Sequence, residues 1–456
     1  MAEHTSDVVI LGGGSGGYAA ALRAAELGKS VVLIEKDKLG GTCLHRGCVP
    51  TKALLHAGEV ADSARHAASV GVVATLEGVD IDRVREYRET IVAKKFKGLE
   101  GLIATRGIAV VSGTGRLTAD RAVQVGDDLY RGGDVVLATG SYSRTLPGLE
   151  IGGRVLTSEQ ALELGEIPGR VVILGGGVIG VEFASVWRSF GAEVTIVEAL
   201  DHLVPTEDIA LSKTLERAFR KRGIASRLGV RFSGATQSAD AVTVRLEDGT
   251  EIEADYLLVA VGRGPVTEGL GFEDAGVTLD RGFVMVDEQL RTGVAGLWAV
   301  GDIVPGLQLA HRGFQQGIAV AERIAGLSPA VVPDTQVPRV TYSSPEVASV
   351  GLSEAAAREL HGDAVVAYEY NLAGNARSEI LGTAGIVKVV RLSDGPILGV
   401  HLAGDRVGEL ITEGQLAVGW EAHPEDIAPF VHAHPTQSEA LGEAFLALAG
   451  KPLHAR

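Results

Sequence analysis

Cys43 and Cys48 are the only two cysteines of the chain and lie five positions apart in the run GGTCLHRGCVPTK, residues 40–52. A disulfide between them would close a short loop and would stabilise the fold by only about 2 kcal/mol, which is little for a chain of this size. Two thiols this close favour a redox pair that opens and closes in turnover over a structural crosslink. A zinc site needs about four ligands, and no second cysteine pair exists to supply them, so no metal site is predicted.

A dithiol needs an acid/base, and the sequence VHAHPTQSE at residues 431–439 offers a candidate. His434 precedes a proline, and Glu439 begins the next predicted helix. A carboxylate on one imidazole nitrogen raises the basicity of the other. We interpret His432 and His423 as ordinary solvated or core histidines.

Lys52 and Glu182 form a second candidate pair. Lys52 lies one helical turn after Cys48, and Glu182 lies two residues after a glycine-rich turn. An ion pair there would tune the redox chemistry, although solvated surface charge is the default interpretation of either residue.

Two glycine turns of the same design must position these groups. VVIL at residues 8–11 and VVIL at residues 171–174 each precede GGGxxG, a helix and a second apolar strand that ends in Glu35 or Glu198. Both copies place the glutamate 23 residues after the first glycine. This context predicts two dinucleotide-binding βαβ units, in which the glycines admit a pyrophosphate at a helix N-terminus. The Glu198 carboxylate would repel a 2′-phosphate and therefore favours NAD over NADP.

Further apolar runs at residues 135–140, 257–262 and 298–302 predict late strands that end in glycine, and Leu309 precedes a further helix. From about Val331 the glycine turns disappear. Residues 337–350 are predicted to be a linker, followed by strands at 386–390 and 397–401 and helices at 408–419 and 438–448. This pattern predicts a separate α+β domain.

Composition narrows the class of protein. The 456 residues are 46% hydrophobic and carry a net charge of −16. Intrinsic disorder is excluded, and an acidic surface disfavours nucleic acid as a partner. The polar, acidic N-terminus and the short apolar runs predict neither a secretory signal nor a membrane span, so we expect a cytoplasmic protein.

The ordered motifs resemble the flavin-dependent pyridine-nucleotide disulfide oxidoreductases, and the HAHPT ending resembles the dihydrolipoamide dehydrogenase group within that family. The resemblance covers nearly the whole chain. It implies an α/β fold with two Rossmann-like three-layer domains, one for FAD and one for NAD, and a C-terminal α+β dimerisation domain. It implies boundaries at 1–147 for the FAD domain, 148–265 for the NAD domain, 266–335 for a central domain and 336–456 for the dimerisation domain.

The same resemblance assigns roles to residues. Cys43 would exchange with the substrate, Cys48 would face the flavin, and His434, held by Glu439, would act from the partner subunit of a homodimer. Glu35 would bind the FAD ribose and Asp302 the ribityl chain. The other residues expected to line FAD are Gly12, Gly14, Gly17, Thr42, Lys52, Gly115, Thr139, Gly140, Ser141, Ala310 and His311. The residues expected to line NAD are Gly175, Gly177, Gly180, Glu182, Glu198 and Gly262.

The activity implied is oxidation of protein-bound dihydrolipoamide to lipoamide with reduction of NAD. The expected partners are the lipoyl domains of acyltransferases or of glycine cleavage carrier proteins. Two departures from the family pattern are His45-Arg46 between the cysteines, which predicts a basic face, and Gly264 after Arg263. A reductase of a glutathione- or mycothiol-type disulfide and a non-catalytic nucleotide-binding scaffold remain as alternatives.

Overall fold

The first glycine turn joins a buried parallel strand to a helix, as the sequence predicts. β1 (Glu3–Leu11) is followed by α1 (Ser15–Glu26) and by β2 (Val31–Glu35), which pairs with β1 in parallel from Val8 opposite Val31. Val8, Val9 and Ile10 are fully buried. A continuous apolar run is typical of a parallel strand that is covered on both faces.

The computed structural model describes residues 2–454. These residues form two compact units. The first consists of the chain up to Leu54, Asp82–Arg144 and Gly262–Asp334. The second consists of Leu55–Ile81, Thr145–Val261 and the chain from Thr335 onwards.

The first unit is built on a seven-stranded sheet in the order β3-β2-β1-β6-β5-β4, with β19 paired to β6. Two small antiparallel pairs, β7 with β16 and β17 with β18, complete its strands. The elements not yet introduced are β3 (Ala109–Ser112), β4 (Gly115–Leu117), β5 (Val123–Val125), β6 (Asp128–Leu137), β7 (Ser141–Ser143), β16 (Arg263–Pro265), β17 (Leu279–Asp280), β18 (Phe283–Val284), β19 (Leu297–Ala299), α2 (Gly41–His45), α3 (Cys48–His66), α4 (Ile81–Thr105) and α8 (Ala310–Ile324). The part of α3 after Leu54 and the first residue of α4 belong to the second unit.

Helix α1 is held against α8 by direct backbone contact. A Cβ atom added at Gly317 of α8 would lie 2.2 Å from the Gly16 carbonyl oxygen of α1, a distance that only glycine permits. Ala20 and Val320 are buried in the same core. This contact fixes the directions of two helices whose N-terminal ends both follow strands of one sheet.

The second unit contains the second glycine turn in a sheet of order β11-β10-β9-β15-β8. A three-stranded antiparallel sheet, β12-β13-β14, accompanies it. The elements are β8 (Val155–Thr157), α5 (Ser158–Leu162), β9 (Arg170–Leu174), α6 (Val178–Phe190), β10 (Glu193–Glu198), α7 (Ile209–Arg222), β11 (Ile224–Leu228), β12 (Phe232–Gln237), β13 (Val242–Leu246), β14 (Glu251–Ala254) and β15 (Tyr256–Val259).

The same unit contains an antiparallel sheet of order β20-β21-β24-β23-β22. The predicted linker at residues 337–350 is wrong in part, because it contains the paired strands β20 and β21. Prolines at 338 and 345 flank these strands and suggested irregular backbone. The elements are β20 (Arg339–Thr341), β21 (Glu346–Gly351), α9 (Glu354–His361), β22 (Val365–Asn371), α10 (Ala376–Ile380), β23 (Ile386–Leu392), β24 (Ile397–Gly404), α11 (Ile411–Gly419), α12 (Pro424–Ile427) and α13 (Glu439–Leu448).

The helices of the described residues are too short or too polar for a membrane-spanning helix. None of them is long and apolar enough to cross a bilayer.

A buried lysine stabilises the second unit. The Lys388 ammonium contacts Asp208 at the start of α7 and Glu354 at the start of α9, each at 2.8 Å. Burial opposes ionisation of Asp208, but bonds from Lys388 and from two backbone amides lower its pKa below the ordinary value. The lysine charge therefore connects α7, α9 and β23.

We predict that Lys388→Met lowers the free energy of unfolding by about 3–5 kcal/mol, because it leaves the buried Asp208 carboxylate without its cation. Urea denaturation measures the change, and Lys213→Met on the exposed face of α7 is the matched control. Since the pKa of Asp208 is lowered in the folded state, the stabilisation is present above pH 4 and is lost as pH falls further. A loss that is equal at pH 7 and pH 3 would contradict this assignment.

Candidate active site

The two cysteines lie at the junction of two helices. Cys43 is in α2 and is partly buried, while Cys48 is exposed and begins α3. Both sulfurs are thiols here, and their side chains are hydrogen-bonded to each other. The N-terminus of a 19-residue helix favours negative charge, so it would stabilise a thiolate at Cys48.

The surroundings of Cys43 oppose its ionisation. The hydrogen bond to Cys48 raises the pKa of Cys43 above its ordinary value, and burial and the nearby Asp302 carboxylate raise it further. The positive charge of Lys52 acts in the opposite direction. The two cysteines therefore differ in their tendency to ionise. Cys43 is held as a thiol, whereas Cys48 lies at a helix N-terminus.

Tyr18 is a neighbour of Cys43 that the sequence analysis missed. It follows the last glycine of the first turn, lies in α1 and packs against Phe314 of α8 with ring centres 5.5 Å apart. Burial, together with Cys43, raises the pKa of Tyr18 to about 12. Because Tyr18 lies in α1 and close to Cys43, the dithiol lies next to the helix that follows the first glycine turn.

The two glycine turns have nearly identical geometry. Gly12 and Gly175 have φ values of +108° and +105°. A Cβ atom at Gly17 would lie 1.8 Å from the Gly12 carbonyl oxygen, and one at Gly180 would lie 1.9 Å from the Gly175 carbonyl oxygen. The middle glycines differ from these, because a Cβ at Gly14 or Gly177 would face open space.

Glu35 and Glu198 are fixed by backbone amides in the same way. One oxygen of each accepts a hydrogen bond from the turn, from Gly13 at 2.7 Å and from Gly176 at 2.6 Å. The other oxygen of each accepts a bond at 2.9 Å from the amide two residues later. Each carboxylate is thereby held beside its glycine turn, where a ribose would hydrogen-bond to it.

The helix N-termini at these turns suit a diphosphate. No described side chain caps α1 or α6, and neither helix has an acidic residue in its first turn. Open space at Gly14 and Gly177 lets a ligand approach the backbone closely. The residues present therefore fit a dinucleotide at each turn.

The residues predicted around the flavin converge at the ends of β1, β6 and β19. Asp302 accepts a hydrogen bond from the Ser141 hydroxyl at 2.5 Å, and Arg263 donates to that hydroxyl at 2.7 Å. The Thr139 hydroxyl donates to the Val266 carbonyl oxygen. Of the remaining predicted residues, Thr42 lies in α2, Gly115 begins β4, Gly140 follows β6, and Ala310 and His311 begin α8.

Glu182 is buried in α6, and its carboxylate accepts a hydrogen bond from the Tyr342 amide at 2.9 Å. Lys52 lies in α3, one turn after Cys48. The ion pair between Lys52 and Glu182 stays a prediction. Gly262, also predicted to line NAD, accepts a hydrogen bond at its carbonyl oxygen from the Arg144 amide.

His434 and Glu439 are in hydrogen-bond contact, as the acid/base hypothesis requires. The imidazole Nδ1 lies 2.8 Å from Glu439 Oε1, and Glu439 Oε2 accepts a bond from the Thr436 amide at 2.7 Å. The imidazole is 74% exposed, so its Nε2 face is open to a substrate thiol. His423 precedes α12 as its N-cap residue, and His432 Nε2 lies 2.8 Å from Glu413 Oε1.

The predicted basic face at residues 45 and 46 is wrong. His45 Nε2 lies 2.8 Å from the Leu39 carbonyl oxygen, and its ring packs edge-on against Phe96. Arg46 forms an ion pair with Asp37. Both groups are engaged locally. The other departure, Gly264, makes room for the Tyr142 ring, whose Cζ atom would lie 2.6 Å from an added Cβ.

Comparison with known proteins decides the family. The pyridine nucleotide-disulphide oxidoreductase model matches residues 6–317, and the dimerisation domain of the same group matches residues 337–445. The chain belongs to the pyridine nucleotide-disulphide oxidoreductase family. Membership confirms the predicted fold class and the predicted oxidoreductase activity with FAD and NAD, and the dimerisation domain indicates a homodimer.

Relatives within the family cover the whole chain. A dihydrolipoyl dehydrogenase of Bacillus subtilis is 40% identical over 98% of this chain and 99% of its own length. The mitochondrial dihydrolipoyl dehydrogenase of Pisum sativum is 39% identical over 98% of this chain and 92% of its own. Among solved structures, LpdA from Mycobacterium tuberculosis has a TM-score of 0.90 and 27% identity, with 98% of this chain and 100% of that chain covered.

We predict that Gly177→Ala raises the KM for NAD about tenfold or more, equivalent to about 1.4 kcal/mol, and leaves folding and FAD content unchanged. The added methyl group points into open space where the oxidoreductase must admit the NAD diphosphate. Steady-state kinetics and the flavin absorbance of the purified protein measure both effects.

Gly234→Ala on β12 is the control, because its added Cβ also has space but lies outside the turn. Gly180→Ala should instead reduce the yield of folded protein. An unchanged KM in the folded Gly177→Ala protein would refute the assigned diphosphate position.

Proposed function

We propose that the chain is a dihydrolipoyl dehydrogenase that oxidises protein-bound dihydrolipoamide to lipoamide and reduces NAD⁺ to NADH. The observation that carries the proposal is the hydrogen-bonded Cys43–Cys48 pair at the start of α3. The identity of 38–40% to dihydrolipoyl dehydrogenases over 98% of the chain supports the substrate class.

Proton transfer is the proposed role of His434. Its Nδ1 faces Glu439, so Nε2 is the nitrogen that accepts the proton of a dihydrolipoyl thiol. Glu439 stabilises the imidazolium that forms. Two bonds hold the Glu439 carboxylate in place, one of them from a backbone amide. The pair therefore generates a substrate thiolate.

The sulfur chemistry proceeds by thiol–disulfide exchange. The substrate thiolate attacks Cys43 of the oxidised pair, which forms a mixed disulfide and releases Cys48 as a thiolate. The second substrate thiol, deprotonated in turn, attacks the mixed disulfide and closes the lipoyl ring. Cys43 leaves as a thiolate and takes up a proton. Two electrons have then moved from the substrate to the cysteine pair.

FAD supplies the two-electron carrier between the cysteine pair and NAD when it is bound. The first glycine turn, Glu35, Ser141 and Asp302 would hold it, and Lys52 lies near enough to influence the charge on Cys43. The second glycine turn, Glu182 and Glu198 would hold NAD. Because both Glu198 oxygens are bonded to backbone amides, its negative charge remains in position against a 2′-phosphate.

The proposed assembly is a homodimer in which His434 and Glu439 of one protomer serve the cysteine pair of the other. The matched dimerisation domain supports the dimer. Lipoyl domains of acyltransferases or of glycine cleavage carriers are the proposed partners, and the cytoplasm is the proposed location. The division at 1–147, 148–265, 266–335 and 336–456 stays part of this proposal, and the family models, which divide near residues 317–337, support its last boundary alone.

We predict that dihydrolipoamide with NAD⁺ gives a kcat/KM at least tenfold above that of glutathione disulfide or mycothiol disulfide with NADH or NADPH. The substrate preference is measured by steady-state NADH formation or consumption. His434→Gln should reduce dihydrolipoamide oxidation about 10²–10⁴-fold, because it removes the acid/base. Faster reduction of a small disulfide would favour the reductase alternative, and zero turnover with FAD bound would favour the scaffold.

We predict that Cys48→Ser abolishes the long-wavelength absorbance that the parent protein shows after uptake of two electrons, because that band requires a Cys48 thiolate against an oxidised flavin. Cys43→Ser, the matched control, should show the band before any reductant is added, since it leaves Cys48 as a thiolate with no disulfide partner. Anaerobic titration at pH 7.5 monitors both variants. Loss of the band in Cys43→Ser alone would reverse the roles of the two cysteines.

A further inference from the structure

Helix α7 and strand β11 carry a cluster of positive charge on an acidic protein. Residues 213–231 contain seven basic residues and one acidic residue, whereas the whole chain has a net charge of −16. We call residues 213–231 the basic surface. Six of its seven basic side chains are exposed: Lys213, Arg217, Arg220, Lys221, Arg227 and Arg231.

These six cations differ from many arginines elsewhere in the chain, which form ion pairs. Arg116, for example, contacts Asp274 at 2.6 Å. The seventh basic residue of the surface, Arg222, is paired in the same way with Asp62 at 2.9 Å. Across residues 2–454, which the structure describes, no carboxylate lies within ion-pair distance of the six exposed cations. Their charge is therefore available to a partner.

Two acidic residues lie beside these cations, and a backbone amide engages each of them. Glu216 Oε1 accepts a hydrogen bond from the Leu203 amide at 2.9 Å. Asp248, which lies near Arg227, accepts one from the Thr250 amide at 2.9 Å. Two carboxylates against six cations leave the surface with an excess of positive charge.

A cavity of about 370 Å³ runs along β11. All five residues of that strand, Ile224–Leu228, line it, so the cavity follows the strand for about 16 Å at about 3.3 Å per residue. Arg220 and Arg227 bring charge to the cavity, and Ile252 of β14 contributes to its apolar wall. A cavity of this shape suits an elongated ligand better than a compact one.

β11 is the terminal strand of its sheet, where it pairs with β10 and with no other described strand. The outer edge of a terminal strand presents main-chain N–H and C=O groups to which a further strand can bind. A nucleic-acid or lipid phosphate is an acceptor only and cannot donate to the C=O groups of such an edge. A second copy of β11 would bring Arg227 against equal charge. An acidic peptide strand complements both the main chain and the charge.

Arg220 and Arg227 approach this edge from opposite faces of the sheet. Arg227 pairs in register with Val197, which belongs to the core shared with β13, so Arg227 lies on the face covered by β12–β14. Arg220 belongs to α7, the crossover helix between the parallel strands β10 and β11, which lies on the other face with α6. Since neighbouring residues of a strand point to opposite faces, adjacent carboxylates of an added strand reach the two arginines.

We propose that the edge of β11 and the basic surface form a docking site for an extended acidic segment of a protein partner. The segment adds to the sheet as a strand beside β11, and main-chain hydrogen bonds supply affinity. Consecutive acidic residues of the segment contact Arg220 on one face and Arg227 on the other. The site lies outside the residues assigned to catalysis, so the proposal does not depend on the proposed function.

Fluorescence anisotropy of a labelled hexaglutamate peptide, measured with the FAD-loaded protein, tests the charge contacts. We expect saturable binding that weakens as salt is raised. Arg220→Glu/Arg227→Glu should weaken it about tenfold or more, because both contacts become repulsive. The matched control is Lys94→Glu/Lys97→Glu on the exposed side of α4, which changes the net charge equally and should bind like the parent.

Strand addition is tested separately with two N-methylated hexaglutamates of equal charge. Methylation at every second residue leaves one edge of the peptide intact, because alternate N–H groups point to the same edge. This peptide should bind like the unmodified one. Methylation at every residue removes all main-chain donors and should weaken binding about tenfold or more. Thermal unfolding is measured for each variant, and if Arg220→Glu/Arg227→Glu does not fold, the two methylated peptides still decide the proposal on the parent protein.

No binding of hexaglutamate to the parent, or equal binding to the charge-reversed variant, would overturn the proposal. Undiminished binding of the fully methylated peptide would also overturn it, since charge alone would then account for the contact. Tighter binding of oligothymidine or of phosphatidylglycerol vesicles, lost in Arg220→Glu/Arg227→Glu, would assign the surface to phosphates instead. Dihydrolipoamide oxidation is assayed in parallel, and its absence in the parent would refute the proposed function without affecting the docking result.

Discussion

The close approach of backbone to backbone at the first glycine turn is the constraint on which the nucleotide half of the active site depends. The Gly12 carbonyl oxygen lies so near Gly17 that no side chain fits between them, and this contact sets the start of α1 at the end of β1. Tyr18 is the next residue, and its position beside Cys43 follows from that start. The same helix is fixed on α8 at Gly317, and α8 begins with Ala310 and His311. The Gly12–Gly17 contact leaves no room for a methyl group. It therefore fixes the position of the dithiol relative to the surface that is expected to bind FAD.

Local patterns explain what the sequence could predict. The βαβ units are encoded within about 25 residues, where apolar runs, glycines and a final glutamate have a fixed spacing. The structure keeps that spacing as hydrogen bonds from Gly13 to Glu35 and from Gly176 to Glu198. The strands at 386–392 and 397–404 were also predicted nearly to their ends, because both are continuous apolar runs. His434 and Glu439 are five residues apart and could be paired from sequence alone.

Contacts between distant residues explain what could not be predicted. Glu413 is 19 residues from His432, and Asp208 is 180 residues from Lys388, so no spacing rule connects them. The basic face expected from His45 and Arg46 fails for the same reason, because Phe96 and Asp37 neutralise or cover these groups only after folding. β20 and β21 are a different case, because they pair locally, with Thr341 opposite Val347, and the prolines at 338 and 345 led to the wrong prediction of a linker. Sequence identifies the chemical groups, whereas their partners depend on the fold.

The anchoring of Glu198 has a consequence for engineering the coenzyme preference. Its two oxygens support the Gly176 and Leu200 amides, so the residue that repels a 2′-phosphate also holds the turn together. Exchange of Glu198 for a neutral or basic residue would free two main-chain donors at the moment it removes the repulsion. A redesign that accepts phosphorylated coenzyme thus has to supply new acceptors for those donors, and one substitution is not enough.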